Sequence, residues 1–294
     1  MFSDYIKDDL KKYYDQLESS KIREIIKYSI DGGKCIRGFI VKHIMQTLSN
    51  NKINIWQPVA CIELIHGISL VIDDLPQFDN DKTRRDKPST FVKFGERQSI
   101  LISFYAISEA FKVLYNGGNE LQKITKVDSN KQIEFINTLV NDFHEFIGQN
   151  LIIGQMLDFK DNVEELLNFK IKLDYDNDKK LMIYKTCSLF TMAFVLGYIF
   201  SGKEINSDIE DFKQMGYYFG IMFQVMDDFN DKDTDSINSN YVLQNGYKES
   251  YSVYNEAKIL LFELLKKHSI NTKEINTMIS LIDKKIEKKI LYEN

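Results

Sequence analysis

Apolar side chains recur along most of this 294-residue chain at steps of three and four, the spacing that lines one face of an α-helix. Between residues 4 and 30 the series is Tyr5, Ile6, Leu10, Tyr13, Tyr14, Leu17, Ile22, Ile25, Ile26 and Ile30. It predicts one amphipathic helix, stopped by Gly32-Gly33. The same pattern predicts helices over 36–48, 55–75, 90–116, 130–159, 178–201, 208–231, 249–268 and 273–291. Breaks are expected at Gly117-Gly118, around 174–178, at Gly202 and over 233–240. The run VACIELIHGISLVI is apolar on nearly every side, so its helix should be surrounded by others. No strand-like alternation persists, and only Pro58, Pro76 and Pro88 interrupt the chain as prolines. The fold class implied is all-α: a single domain over 1–294, built of roughly ten to twelve helices.

Composition narrows the function classes. The net charge of −5 and pI of about 5.5 provide no basic face for nucleic acid. Cys35, Cys61 and Cys187 lie far apart without CxxC spacing. That argues against a disulfide framework or a zinc site and fits a reducing compartment. The charged start MFSDYIKDDLKKYY has no apolar core of a signal peptide, and no window reads as a membrane span. A cytoplasmic protein is expected.

The chemistry concentrates at the ends of two apolar helices. The stretch LVIDDLPQFDNDKTRRDKP sets Asp73, Asp74, Asp79 and Asp81 behind one of them and Arg84-Arg85 after it. In an unbroken helix Asp73 and Asp79 would diverge by about 240°. Pro76 disfavours helical backbone at Leu75, so the chain can curl Asp79 back beside the first pair. Crowded carboxylates repel unless cations sit among them, and hard oxygen ligands suit Mg²⁺ bridging to phosphate. Paired guanidinium groups bind phosphate oxygens. The blander reading of such a stretch is a solvated acidic loop with surface ion pairs; the adjoining arginines and the apolar helix weigh against it.

The second stretch, FGIMFQVMDDFNDKDTD, repeats the design. Asp227 and Asp231 are about 40° apart on a helix, and Asp228 lies about 60° from Asp231. Gln224 sits one turn before Asp228. Two carboxylate sites of this kind read as facing walls of one cavity that clamps a diphosphate through Mg²⁺.

These segments together resemble the trans-isoprenyl diphosphate synthase family. GGKCIRG (32–38) resembles its GGKxxRP/G segment, ELIH followed by DDLPQFDND and RR its first aspartate-rich region, and GQMLD (154–158) its GQxxD. YKTCSLF (184–190) resembles its YKTxxLF and FQVMDDFND its second aspartate-rich region. The resemblance implies a helical bundle around a central cavity, usually dimeric, with three Mg²⁺ ions. It implies that Lys34, Arg37 and His66, with Arg85, bind isopentenyl diphosphate, and that Arg84 binds the allylic diphosphate. It makes Asp73, Asp74, Asp79, Asp227 and Asp228 metal ligands, with Asp231 in an outer position. Lys185, Thr186 and Gln224 fall beside the allylic diphosphate and the developing carbocation. The implied reaction is head-to-tail condensation of isopentenyl diphosphate with an allylic diphosphate.

The chain departs from that pattern in places. Cys35 stands where a second basic residue is usual. After the second aspartates the family's GKxxGxD…K stretch is replaced by a shortened DKDTDSINSNYVLQNGY, leaving Lys232 or Lys248 to substitute for a lysine. Ile68 and Ser69 lie about one turn before Asp73 and are small for a product-length floor, which favours geranylgeranyl diphosphate. Two alternatives remain at this level: a terpene cyclase, which needs no isopentenyl diphosphate pocket, and a non-catalytic regulatory subunit, which tends to lose an aspartate cluster. His43, His144 and His268 are read as structural.

Overall fold

The computed structural model describes residues 2–126, 129–158, 182–233, 237 and 240–291. The elements are helices α1 (Phe2–Gln16), α2 (Ser20–Ile30), α3 (Ile36–Leu48), α4 (Gln57–Asp73), α5 (Thr90–Phe94), α6 (Glu96–Thr125) and α7 (Ser129–Phe143). A π-helical segment (His144–Leu151) leads into α8 (Ile152–Asp158), and a second (Met182–Cys187) leads into α9 (Ser188–Ile199). Then come α10 (Asp208–Asp231), α11 (Tyr241–Lys267) and α12 (Lys273–Leu291). The described strands are β1 (Thr83–Arg84) and β2 (Lys87–Pro88), a short antiparallel pair.

Several boundaries differ from the sequence reading; α11, expected from 249, already starts at Tyr241. The helix expected over 4–30 is two helices, because the Ser19 side chain accepts a hydrogen bond from Ile22 N at 3.3 Å and starts α2 afresh. The helix expected over 90–116 is broken at Gly95, whose φ of +94° suits only glycine. It then runs straight through Gly117-Gly118 to Thr125. At Gly117 a Cβ would meet Gln57 Cβ at 2.7 Å and Phe200 Cε1 at 3.0 Å, so the glycine marks a close approach rather than a helix end. The break expected around 174–178 lies outside the described residues.

The chain forms two compact units. The first comprises Met1–Asn141 with Val195–Ile205. Its centre is α4, whose apolar residues are buried against α1, α2, α3 and α6, as the all-round hydrophobic pattern requires. Lys42 on α3 joins α1 here, its ammonium 2.6 Å from the buried Asp9 carboxylate. The second unit comprises Asp142–Phe194 with Asn206–Asn294. Its centre is α10, packed on α11, α12 and the second π-helical segment. Phe190 and Phe219 meet edge-on here at 4.9 Å. The window Met182–Ile199 is long and apolar enough to cross a membrane, with mean hydropathy 1.4, but 89% of it is buried, which makes it a core helix.

Candidate active site

In the first unit the end of α4 behaves as Pro76 predicts. The helix closes with Leu75 N donating to Ile72 O, and Asp79 N then turns back to Asp73 O at 2.9 Å. The turn thereby gathers Asp73, Asp74 and Asp79. Asp73 and Asp74 are buried, at 8% and 2% exposure, and Asp79 is exposed. Arg84 donates from Nε (2.8 Å) and Nη2 (2.5 Å) to Asp74 Oδ1, and from Nη2 to Asp81 Oδ2 at 2.9 Å. Burial pushes the Asp74 carboxyl up and Arg84 pulls it back only in part. Burial also opposes charge on Arg84, but the bonds and charges of Asp74, Asp81 and Asp73 outweigh it and hold the guanidinium protonated. A carboxylate placed here requires a cation, and hard oxygens on one turn fit Mg²⁺.

Arg85 follows a different course. Its Nη1 donates to the carbonyls of Ser29 (3.0 Å), Ile30 (2.8 Å) and Asp31 (3.3 Å), the last turn of α2. Lys87 adds bonds to Tyr28 O at 2.6 Å and Asp31 O at 3.0 Å. The β-hairpin thus caps α2 with two cations, as its dipole favours. It also sets Arg85 over the Gly32-Gly33 turn, with Nη2 only 3.0 Å from where a Gly33 Cβ would stand. Beyond that turn Lys34 is exposed, and Arg37 Nη1 lies 3.3 Å from His66 Nε2. Burial, then the charges of Arg37, Arg85 and Arg84, hold the His66 imidazole well below its ordinary value, so it is neutral. The ring nevertheless keeps some exposed surface. His66 and Asp73 are seven residues apart on α4, about two turns and hence on one face. Ser69 shares that face, its hydroxyl donating to His66 O at 2.9 Å. Ile68 is turned into packed interior at 2% exposure.

In the second unit the YKT segment is π-helical, a form frequent at functional sites. Gly154 of the GQMLD segment lies directly against the Tyr184–Lys185 backbone, and Gly220 of α10 lies against Cys187 Cα and Sγ, so both neighbours grip the segment closely. Thr186 Oγ1 donates to Gln224 Oε1, and Gln224 Nε2 donates to Asp228 Oδ1 at 2.7 Å. Asp228 Oδ2 accepts from Tyr241 N at 2.8 Å. Asn240 Nδ2 donates to Asp228 O at 2.9 Å while its Oδ1 caps α11. Asp228 is therefore turned inward, 3% exposed and bonded at both oxygens, rather than standing beside Asp227 and Asp231. Those two share the outer face, half-buried and exposed respectively, with Lys185 half-buried on the π segment. Lys232 donates to Tyr247 OH at 2.7 Å.

One further group of potential ligands, Asp208, Asp211 and His268, has atoms within 4.8 Å of one another among the described residues. Asp211 there accepts from Lys267 Nζ at 2.5 Å and bonds His268 Nε2 at 2.6 Å, so this cluster ties α10 to the end of α11. His43 stacks on Phe39 in the core, as a structural histidine does.

Each unit by itself thus carries an acid-ended core helix, with arginines and a neutral histidine in the first and the Thr186–Gln224 pair in the second, groups chemically suited to diphosphates and their metal ions. Comparison with known proteins agrees. A family model described as polyprenyl synthetase matches residues 19–250. The farnesyl diphosphate synthase of Micrococcus luteus is 27% identical over 288 residues, covering 93% of this chain and 91% of that one. Geranylgeranyl pyrophosphate synthase 6, mitochondrial, of Arabidopsis thaliana is 31% identical over 216 residues, covering 72% of this chain and 60% of that one. The chain thus spans less than two thirds of the plant relative. The crystal structure of a geranyltranstransferase from Thermotoga maritima matches with a TM-score of 0.72 at 22% identity, covering 99% and 98% of the two chains. This chain belongs to the polyprenyl synthetase family; it has the isoprenoid synthase fold and is a prenyltransferase of the trans-prenyl diphosphate synthase type.

Proposed function

We propose that this enzyme joins isopentenyl diphosphate head-to-tail (1'-4) to allylic diphosphates and that its main product is geranylgeranyl diphosphate. One observation supports elongation over cyclisation. A single helix, α4, carries His66 beside Arg37 and, about 10 Å further along the same face, the acidic turn that holds Arg84. A cyclase working on one diphosphate has no use for the first cation set.

Asp73, Asp74 and Asp79, with Asp227 and Asp231, would hold Mg²⁺, three ions in all, and Asp228 would serve by locking Gln224 and the start of α11. When bound, the metal neutralises the charge that develops on the leaving diphosphate. Arg84 and Lys185 add cationic donors for that diphosphate, and the Thr186–Gln224 pair presents a polar edge to the allylic carbon. The C–O bond of the allylic substrate breaks with its electrons leaving on the diphosphate. Lys34, Arg37, His66 and Arg85 hold isopentenyl diphosphate so that its double bond forms the new C–C bond, an approach made effectively unimolecular. The proton lost in restoring the double bond passes to the released diphosphate. Burial of apolar side chains keeps water from quenching the cation.

Ser69, small and on the Asp73 face, supports room for a twenty-carbon product. A second copy of this chain is the proposed partner. Ile100, Leu101, Phe104, Ile107, Phe111 and Tyr115 form an exposed apolar stripe along α6, from 38% to 71% exposed, and the same stripe on two copies is self-complementary. A cytoplasmic location is proposed because the wide spacing of Cys35, Cys61 and Cys187 does not read as a disulfide framework. The test is incubation with isopentenyl diphosphate, each allylic primer in turn and Mg²⁺, with products weighed by mass spectrometry. Elongated diphosphates ending at twenty carbons are expected. Hydrocarbon without elongated diphosphate would assign a cyclase, and no turnover a regulatory subunit.

A further inference from the structure

Glu63 is an acid in the middle of the strongly apolar helix α4, 3% exposed, and no step above uses it. Its Oε1 accepts from Gly38 N at 2.7 Å. The nearby Cys35 thiol, which burial first and then the Glu63 charge push up to about 12, donates to Gly33 O at 3.5 Å. Burial raises the Glu63 carboxyl, against the pull of Gly38 N–H, Arg37 and Arg85.

The contact lies at the start of α3. The residue before that helix, Cys35, is left-handed at φ +54° and makes no side-chain cap. The first amides of a helix have no partner within it. Glu63 supplies an acceptor from another helix, at the end of the dipole that favours negative charge. It reaches Gly38 because that residue has no side chain: a Cβ there would stand 2.9 Å from Glu63 Cγ and 2.7 Å from Ile6 Cδ1. Proline, the other residue of the GGKxxRP/G pattern at this position, would have no N–H to give. Lys34 and Arg37 flank the same turn, and Arg37 faces His66, three residues beyond Glu63 on α4.

We propose that Glu63 is a positioning residue: by capping α3 through Gly38 N–H, it fixes the turn that aims Lys34 and Arg37 at one diphosphate. This rests on the assignment of that pocket to isopentenyl diphosphate. The test compares Glu63→Gln, Glu63→Asp and Glu63→Ala in the full chain. Calorimetry gives Kd for isopentenyl diphosphate and, separately, for an allylic diphosphate with Mg²⁺; thermal unfolding gives Tm. Gln keeps the acceptor and should leave both affinities within about two-fold of wild type. Asp draws the acceptor back and Ala removes it; each should weaken isopentenyl diphosphate by about ten-fold, with allylic binding unchanged. If Ala does not fold, the Asp and Gln variants carry the comparison. Equal weakening of both ligands, no weakening in Asp, or a Gln variant as weak as Asp would overturn the positioning role. Wild-type protein that binds no isopentenyl diphosphate would overturn the functional reading itself.

Discussion

Arg84 commits both Nε and Nη2 to Asp74 and reaches Asp81 as well, so the acidic turn carries its own counter-ion. The return of Asp79 toward Asp73 was legible in advance because proline acts on the residue before it, a local effect. The role of Glu63 was not legible, since its partner Gly38 lies on another helix, whereas Asp81 pairs with Arg84 only three residues on. An isolated acid on an apolar helix was the one signal that could have exposed Glu63. At this scale Ser69→Phe should shorten the product toward fifteen carbons, read as a mass shift of the hydrolysed prenyl alcohol; an unchanged spectrum would remove Ser69 from the floor. His66 gives a pH prediction. Its folded pKa lies well below the ordinary 6.5, so the unfolded chain takes a proton first as pH falls. Its contribution to stability is present above about 6.5 and is lost progressively below it. Urea midpoints at pH 7.5 and 5.5 should therefore fall more in wild type than in His66→Gln.

At the scale of elements, periodicity placed α3, α10 and α12 at their observed boundaries and failed where a single residue competed with it. Ser19 restarted a helix whose apolar phase ran on, and Gly117-Gly118 failed to end one. Glycine in a helix costs about 1 kcal/mol relative to alanine, a small penalty that close packing overrides. The second π-helical turn has no signature in periodicity; it lies where neighbouring helices approach its backbone closely at Gly154 and Gly220. Gly117→Ala and Gly220→Ala should each destabilise by about 1–3 kcal/mol through overpacking, seen as a lower denaturant midpoint with m unchanged. Gly246→Ala is the control. Nothing lies within 4 Å of its added methyl group, so only the backbone strain of φ +78° remains, about 1–2 kcal/mol.

At the scale of the whole molecule, the exposed stripe on α6 and the two acid-ended helices carry the remaining predictions. Phe104, 71% exposed, packs little within its own chain, so Phe104→Glu should leave the chain folded, with a Tm lowered only by loss of the partner, while sedimentation shifts from the proposed dimer to monomer. A dimer that survives this change would place the interface elsewhere. The central claim is that the acids at the ends of α4 and α10 ionise an allylic diphosphate. Pyrophosphate release from farnesyl diphosphate in the presence of isopentenyl diphosphate, followed against Mg²⁺ concentration, tests it most directly. Wild-type protein should show no release in EDTA and saturable release with Mg²⁺, and Asp74→Asn and Asp227→Asn should each slow it by at least about a hundred-fold. Release that persists in EDTA, or folded variants that match wild type, would contradict the account.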